Sequence, residues 1–139
     1  MKVVIADPKT GNCFQKEVEK TKEAQLVGKK VGEAFEGGIA GLPGYTLEIT
    51  GGSDKDGFPM RPEITGSRRV SAFISSGAGM RRVRKGLRRR RTVVGNTVAA
   101  SIVQVNAKIK EYGQKPLEEL GFVAKPKEKK AEEKKEEKK

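Results

Sequence analysis

The chain has 139 residues, of which 35% are hydrophobic and 35% charged, and it carries a net charge of +12 at pH 7. That length suits one domain, or one domain with an appendage, and a small core is feasible only if the charges are kept out of it. With no histidine and one cysteine, Cys13, the composition excludes a disulfide framework, the usual Cys/His zinc sites and triads that depend on imidazole.

The first half reads as β structure. KVVIA (2–6) is a short apolar run ending at Asp7 and Pro8, and TGN (10–12) is a turn signal that joins it in a hairpin to CFQKEVEK (13–20). That opening run is too short for a signal peptide's hydrophobic region, and no later run approaches a membrane span. A soluble, cytoplasmic protein with no membrane partner is expected. TKEAQLVG (21–28) resembles one or two helical turns, with Thr21 as cap and Gly28 as stop. KKVGEAFEGG (29–38) and YTLEIT (45–50) are the next strand candidates. In the latter Tyr45, Leu47 and Ile49 face one way and Thr46, Glu48 and Thr50 the other, the period of a half-buried strand.

GGSDKDGFPMRPE (51–63) shares some spacing with a calcium loop, but Gly52 stands where the first ligand belongs and Pro59 interrupts it. It reads as a tight turn, with Asp54 and Asp56 bonding nearby backbone amides and Gly57 at positive φ. RRVSAFISS (68–76) alternates again: Val70, Ala72 and Ile74 on one face, Ser71, Phe73 and Ser75 on the other. GGIAGLPG (37–44) and SSGAGM (75–80) are glycine-rich, yet neither completes a dinucleotide or Walker signature, and both read as turns. TVVGNTVAASIVQVNAKIKEYG (92–113) supplies one or two strands, with Ile102, Val103, Val105, Ala107 and Ile109 lining a core. KPLEELGF (115–122) fits one helical turn stopped by Gly121.

Short strands separated by many glycines make the chain mainly β. The expected architecture is a small closed β-barrel with one or two short helices, closure removing exposed strand edges. All seven aromatics read as core or turn. KPKEKKAEEKKEEKK (125–139) contains no bulky apolar residue and is expected to be a disordered tail. The organisation is therefore a domain over 1–124 with a basic excursion at 77–92, followed by that tail.

Charge is segregated along the chain. Residues 1–60 hold eight Lys/Arg against nine Asp/Glu, whereas residues 61–91 hold eleven against one. Within GMRRVRKGLRRRRTVVGN, eight of the eleven residues from 81 to 91 are cationic: Arg81, Arg82, Arg84, Lys85, Arg88, Arg89, Arg90 and Arg91. Their spacing is shorter than the Debye length of about 8 Å at physiological salt, so they repel one another through solvent. Arginine outnumbers lysine seven to one in this run, and guanidinium makes planar bidentate contacts with phosphate that ammonium cannot. Arg68 and Arg69 precede it on one expected strand and TVV follows on another, so the run is anchored at both ends. A polyanion is the partner this points to. Because the run contains no aromatic residue, backbone and shape recognition of folded RNA or duplex is expected rather than base stacking. Glu17, Glu19, Glu118 and Glu119 have no catalytic partner in sight, so no enzyme, cofactor, metal or small-molecule substrate is expected.

Three stretches together, KVVIADPKTGNCFQKEV, TGGSDKDGFPMRP and RRVSAFISSGAGMRRVRKGLRRRRTVVGNTVAASIVQVNAKI, resemble the archaeal and eukaryotic small-subunit ribosomal proteins of the S-six-e family. The resemblance covers about residues 1–124. It implies a compact β-barrel packed on ribosomal RNA among other small-subunit proteins, and by analogy Lys55, Arg61, Arg68, Arg69 and the block from Arg81 to Arg91 as RNA contacts. Eukaryotic members continue into a long C-terminal helix with regulatory serines, whereas the last serine here is Ser101; the short form looks archaeal. The expected function is structural binding of rRNA in support of translation. The alternatives are a DNA-compacting protein and a module whose basic loop docks an acidic protein.

Overall fold

A computed structural model describes residues 1–81, 84–113, 117 and 122. The expected disordered tail and most of the expected helical turn at 115–122 lie outside the described residues, as does Arg82.

Among the described residues seven strands form in chain order: β1 (Lys2–Ala6), β2 (Cys13–Glu17), β3 (Ala34–Glu36), β4 (Thr46–Asp54), β5 (Arg69–Ile74), β6 (Arg89–Val94) and β7 (Ile102–Glu111). The expected hairpin at the N-terminus is present, with β1 and β2 antiparallel. A short helix, α1 (Lys20–Glu23), begins after Glu19, and no side chain caps it; the expected cap, Thr21, lies inside it. A 3₁₀ turn at Gly37–Ala40 accounts for the first glycine-rich stretch.

The strands do not close into the expected barrel. Five make an open mixed sheet in the order β2-β1-β7-β4-β3, and β5 with β6 make a separate two-stranded ribbon. The edge hazard that closure would remove is managed differently. One edge, β3, is three residues long, and the other, β2, exposes Lys16 and Glu17; short and charged edges resist pairing with another chain.

The sheet is one-sided. Val3 and Ile5 of β1 lie in parallel register with Val105 and Ala107 of β7, while Leu47 and Ile49 of β4 oppose Ile109 and Ala107. All are buried, and Leu26, Leu42, Met60, Val94 and Val98 pack over the same face. Burying each such large side chain contributes roughly 1.5–3 kcal/mol. The opposite face carries cross-strand pairs, among them Lys108–Glu48 at 3.1 Å and Lys2–Glu17 at 3.4 Å. Val103 departs from the expected core. Ser53 opposes Gln104 and Asp54 opposes Ile102, so Val103 is the extra residue of a bulge and is turned out to solvent.

The ribbon is fastened to the sheet by residues 58–61. The amide of Asp54 donates to Phe58 O at 3.0 Å, that of Met60 to Gly52 O at 2.9 Å, that of Val94 to Pro59 O at 2.9 Å, and that of Arg61 to Val94 O at 3.0 Å. Just beyond β6, Gly95 passes against Gly66 so closely that a Cβ on Gly95 would lie 2.0 Å from the Gly66 carbonyl oxygen. Gly95→Ala should therefore lower stability by about 1–3 kcal/mol, the usual range for overpacking, in urea unfolding. Gly51→Ala should be nearly silent, since nothing lies within 4 Å of its Cβ position and its φ is not positive.

Candidate nucleic-acid interface

Pairing of β5 with β6 distributes the arginine run over two faces. Ile74 opposes Arg89, Phe73 opposes Arg90, Ala72 opposes Arg91 and Val70 opposes Val93. Because strand side chains alternate, Arg89 and Arg91 share a face with Val70, Ala72 and Ile74, and Arg90 shares the other with Arg69, Ser71 and Phe73. The last part of the expected loop excursion at 77–92 is thus strand, since β6 begins at Arg89. Two residues along a strand place Arg89 and Arg91 about 6.6–6.8 Å apart, inside a Debye length.

Arg81, Arg84, Lys85, Arg88, Arg89, Arg90 and Arg91 are all exposed, as are Lys55 and Arg68. No ion pair within 4.0 Å involves any of them among the described residues. Lys55 sits at the tip of the 54–57 turn, where Gly57 takes the expected positive φ of 81° and donates its amide to Asp54 O at 2.9 Å.

Two arginines instead meet carboxylates within the protein. Arg61 is buried; its Nε donates to Glu63 at 2.8 Å, and its Nη1 donates to the carbonyls of Ser76 and Ala78 at 2.9 and 3.2 Å. Gly77, at φ 86°, lies between those carbonyls, and a Cβ there would stand 3.1 Å from Arg61 Nη2. The glycine-rich stretch before the arginine run is thus the turn the sequence suggests, and Arg61 holds it. Arg69 donates from Nε to Asp54 Oδ2 at 2.5 Å and from Nη2 to Asp56, and its guanidinium carbon lies 5.0 Å from the Phe58 ring centroid. The hydrogen bond from Arg69, with help from the Lys55 and Asp56 amides, holds the Asp54 carboxyl below its ordinary range although desolvation opposes this. Asp54 and Asp56 thus share an arginine, a partner fifteen residues downstream of Asp54 that local turn chemistry does not disclose.

Sequence reasoning also missed Phe73. It stands on the ribbon with 71% of its surface open, against an expectation of core or turn, and the Arg90 guanidinium carbon is 5.2 Å from its ring centroid. The available signal was its place between Ser71 and Ser75 on the polar face.

No helix of the described residues is long and apolar enough to cross a membrane. The family profile described as Ribosomal protein S6e matches residues 1–121. The chain is 56% identical over 119 residues to small ribosomal subunit protein eS6 of Methanocaldococcus jannaschii, covering 86% of this chain and 88% of that protein. It is 48% identical over 119 residues to the protein of that name from Methanothermobacter thermautotrophicus, covering 86% and 93%. With its namesake from Archaeoglobus fulgidus the identity is 46% over 120 residues, again covering 86% and 93%.

Arg61→Ala should lower stability by about 1–3 kcal/mol, as expected for losing hydrogen bonds to a charged group, whereas Lys55→Ala should leave the urea midpoint unchanged. The depressed carboxyl of Asp54 makes a second prediction. A group with a lowered folded pKa contributes its stability fully above its unfolded value, near 3.9, and loses it as pH falls through the folded value. Urea midpoints should therefore fall with acidification below about pH 4, and Asp54→Asn should make that fall shallower.

Proposed function

Because the chain belongs to the ribosomal protein S6e family, we propose that it is built into the small ribosomal subunit as a scaffold whose unpaired arginines neutralise phosphates of the subunit's rRNA. It is a structural ribosomal component and not an enzyme. Residues 1–124 act as the RNA-binding domain, in the cytoplasm with the ribosome, among neighbouring subunit proteins. The observation that carries this reading is the division of cations. Arg61 and Arg69 meet carboxylates within the protein, while the seven described cations between 81 and 91 point outward on one ribbon and the loop that joins its strands. Charges this close, with no acidic residue among them, are relieved by an external polyanion.

The contacts to rRNA accordingly come from Lys55, Arg68 and the block from Arg81 to Arg91, Arg82 included. Arg61 and Arg69 serve by fixing the turn and the ribbon that present the others. Arginines on both faces of a narrow ribbon suit a crevice between RNA strands better than a flat surface, because each face then meets its own row of phosphates.

Binding to small-subunit rRNA fragments should weaken steeply with salt. Eight phosphate contacts correspond to a log–log slope of about −6 to −7, and a slope near zero would remove the mechanism. Arg89→Ala should reduce that slope by about 1 without moving the thermal unfolding midpoint, since the residue is exposed. Equal affinity for duplex DNA of the same length would favour the DNA-compacting alternative. Assemblies that survive RNase would favour an acidic protein partner.

A further inference from the structure

We propose that Phe73, set against Arg90 on the exposed face of the β5–β6 ribbon, is a stacking platform for an unpaired RNA base. This rests on the RNA-binding reading above and adds to it a contact with bases, which the arginines alone do not supply.

Phe73 is the most exposed large apolar residue among those described; Val27 and Val103 follow at 44%. Its neighbours along the strand on that face, Ser71 and Arg69, are polar, and the apolar residues Val70, Ala72 and Ile74 occupy the other face. A phenylalanine there gains little from the protein's own packing. The protein also contains its own comparison. At the root of the ribbon Phe58 and Arg69 form the same kind of pair, at 5.0 Å, but Phe58 packs against the core and Arg69 is held by Asp54 and Asp56. Phe73 and Arg90, at 5.2 Å, lack both completions: the ring is open and no carboxylate within 4.0 Å meets Arg90 among the described residues.

The chemistry of the missing partner follows. Exposed cations concentrate polyanion around this face, so the surface that reaches the ring is nucleic acid. The apolar, π-bearing part of nucleic acid is the base, and aromatic rings and guanidinium planes both stack on it. In a duplex the bases are already stacked on either side, so the occupant is a base from a loop, bulge or single strand. Arg90 then serves twice, lying against the ring and attracting the phosphate attached to the stacked nucleotide.

The test uses the full chain, as wild type and as Phe73→Ala, Phe73→Leu and Phe73→Trp, titrated at fixed salt. The probes are a labelled oligoadenylate of about twelve nucleotides, within the usual site sizes for single strands, and its abasic counterpart of equal charge. Phe73→Ala and Phe73→Leu should lose about five- to 150-fold in affinity for oligoadenylate, the range for losing one stacked base, with no change on the abasic probe and an unaltered salt slope. The chain has no tryptophan, so Phe73→Trp introduces a single fluorophore, which oligoadenylate should quench and the abasic probe should not. Equal losses on both probes, no loss on either, or an unquenched tryptophan would overturn the inference while leaving the arginine reading standing. If the wild type bound neither probe, the arginine reading would fall and this inference with it. A Phe73→Ala chain that bound both probes normally yet failed to enter reconstituted small subunits would assign the ring to a protein neighbour and overturn the proposal.

Discussion

The guanidinium of Arg69 joins two parts of the molecule that share no strand ladder. Its donors reach Asp54, at the end of β4, and Asp56, in the turn that follows, while Arg69 itself begins β5. The ribbon has no extended ladder with the five-stranded sheet; the short segment at 58–61 and this charged clamp connect them. A side chain of Asp54 that is 99% buried on the carboxylate side and an arginine that is partly exposed place the pair at the protein's margin. Such a pair fixes direction more than it adds stability. With the clamp in place, the distal half of the ribbon has a defined aim.

That aim gives the net charge its meaning. Viewed as a number, the excess of cations between 61 and 91 is a repulsive cost. Viewed on the fold, it separates into a pair that meets carboxylates and a group that does not. Arg61 belongs with the first kind, since it is buried and its bonds to Ser76 and Ala78 shape the turn leading into the run. The same residue type thus builds the support and supplies the exposed charge, and a carboxylate partner within the protein distinguishes the two.

The sheet beneath is suited to a scaffold. Its apolar face is covered by the chain itself, its outer face is laced with cross-strand ion pairs of modest worth, and its edges are short or charged. Membership of the ribosomal protein S6e family fits this economy, because a protein placed among RNA strands needs a rigid base and a charged projection more than a cavity. Asp7 adds rigidity at the far end of β1. Burial works against its charge, but hydrogen bonds from Tyr112, Thr10 and the Lys9 and Thr10 amides hold its carboxyl below the ordinary range.

Sequence by itself determined the features that are local or periodic. The alternation of Tyr45, Leu47 and Ile49, and of Val70, Ala72 and Ile74, specified which side chains on each strand are the less exposed, because period two is a property of the strand alone. The turn at 54–57, the segregation of charge and the family resemblance were legible for the same reason: each is written in consecutive residues. Pairing between distant segments was not. The parallel match of β1 with β7, the bulge that turns Val103 outward, and the open sheet in place of a barrel depend on contacts separated by many residues, which no local pattern encodes. So does the sorting of arginines. Arg61 and Arg69 resemble Arg68 and Arg89 in sequence, and only the tertiary structure brings the Ser76 and Ala78 carbonyls to the first and Asp54 and Asp56 to the second, leaving the others facing solvent.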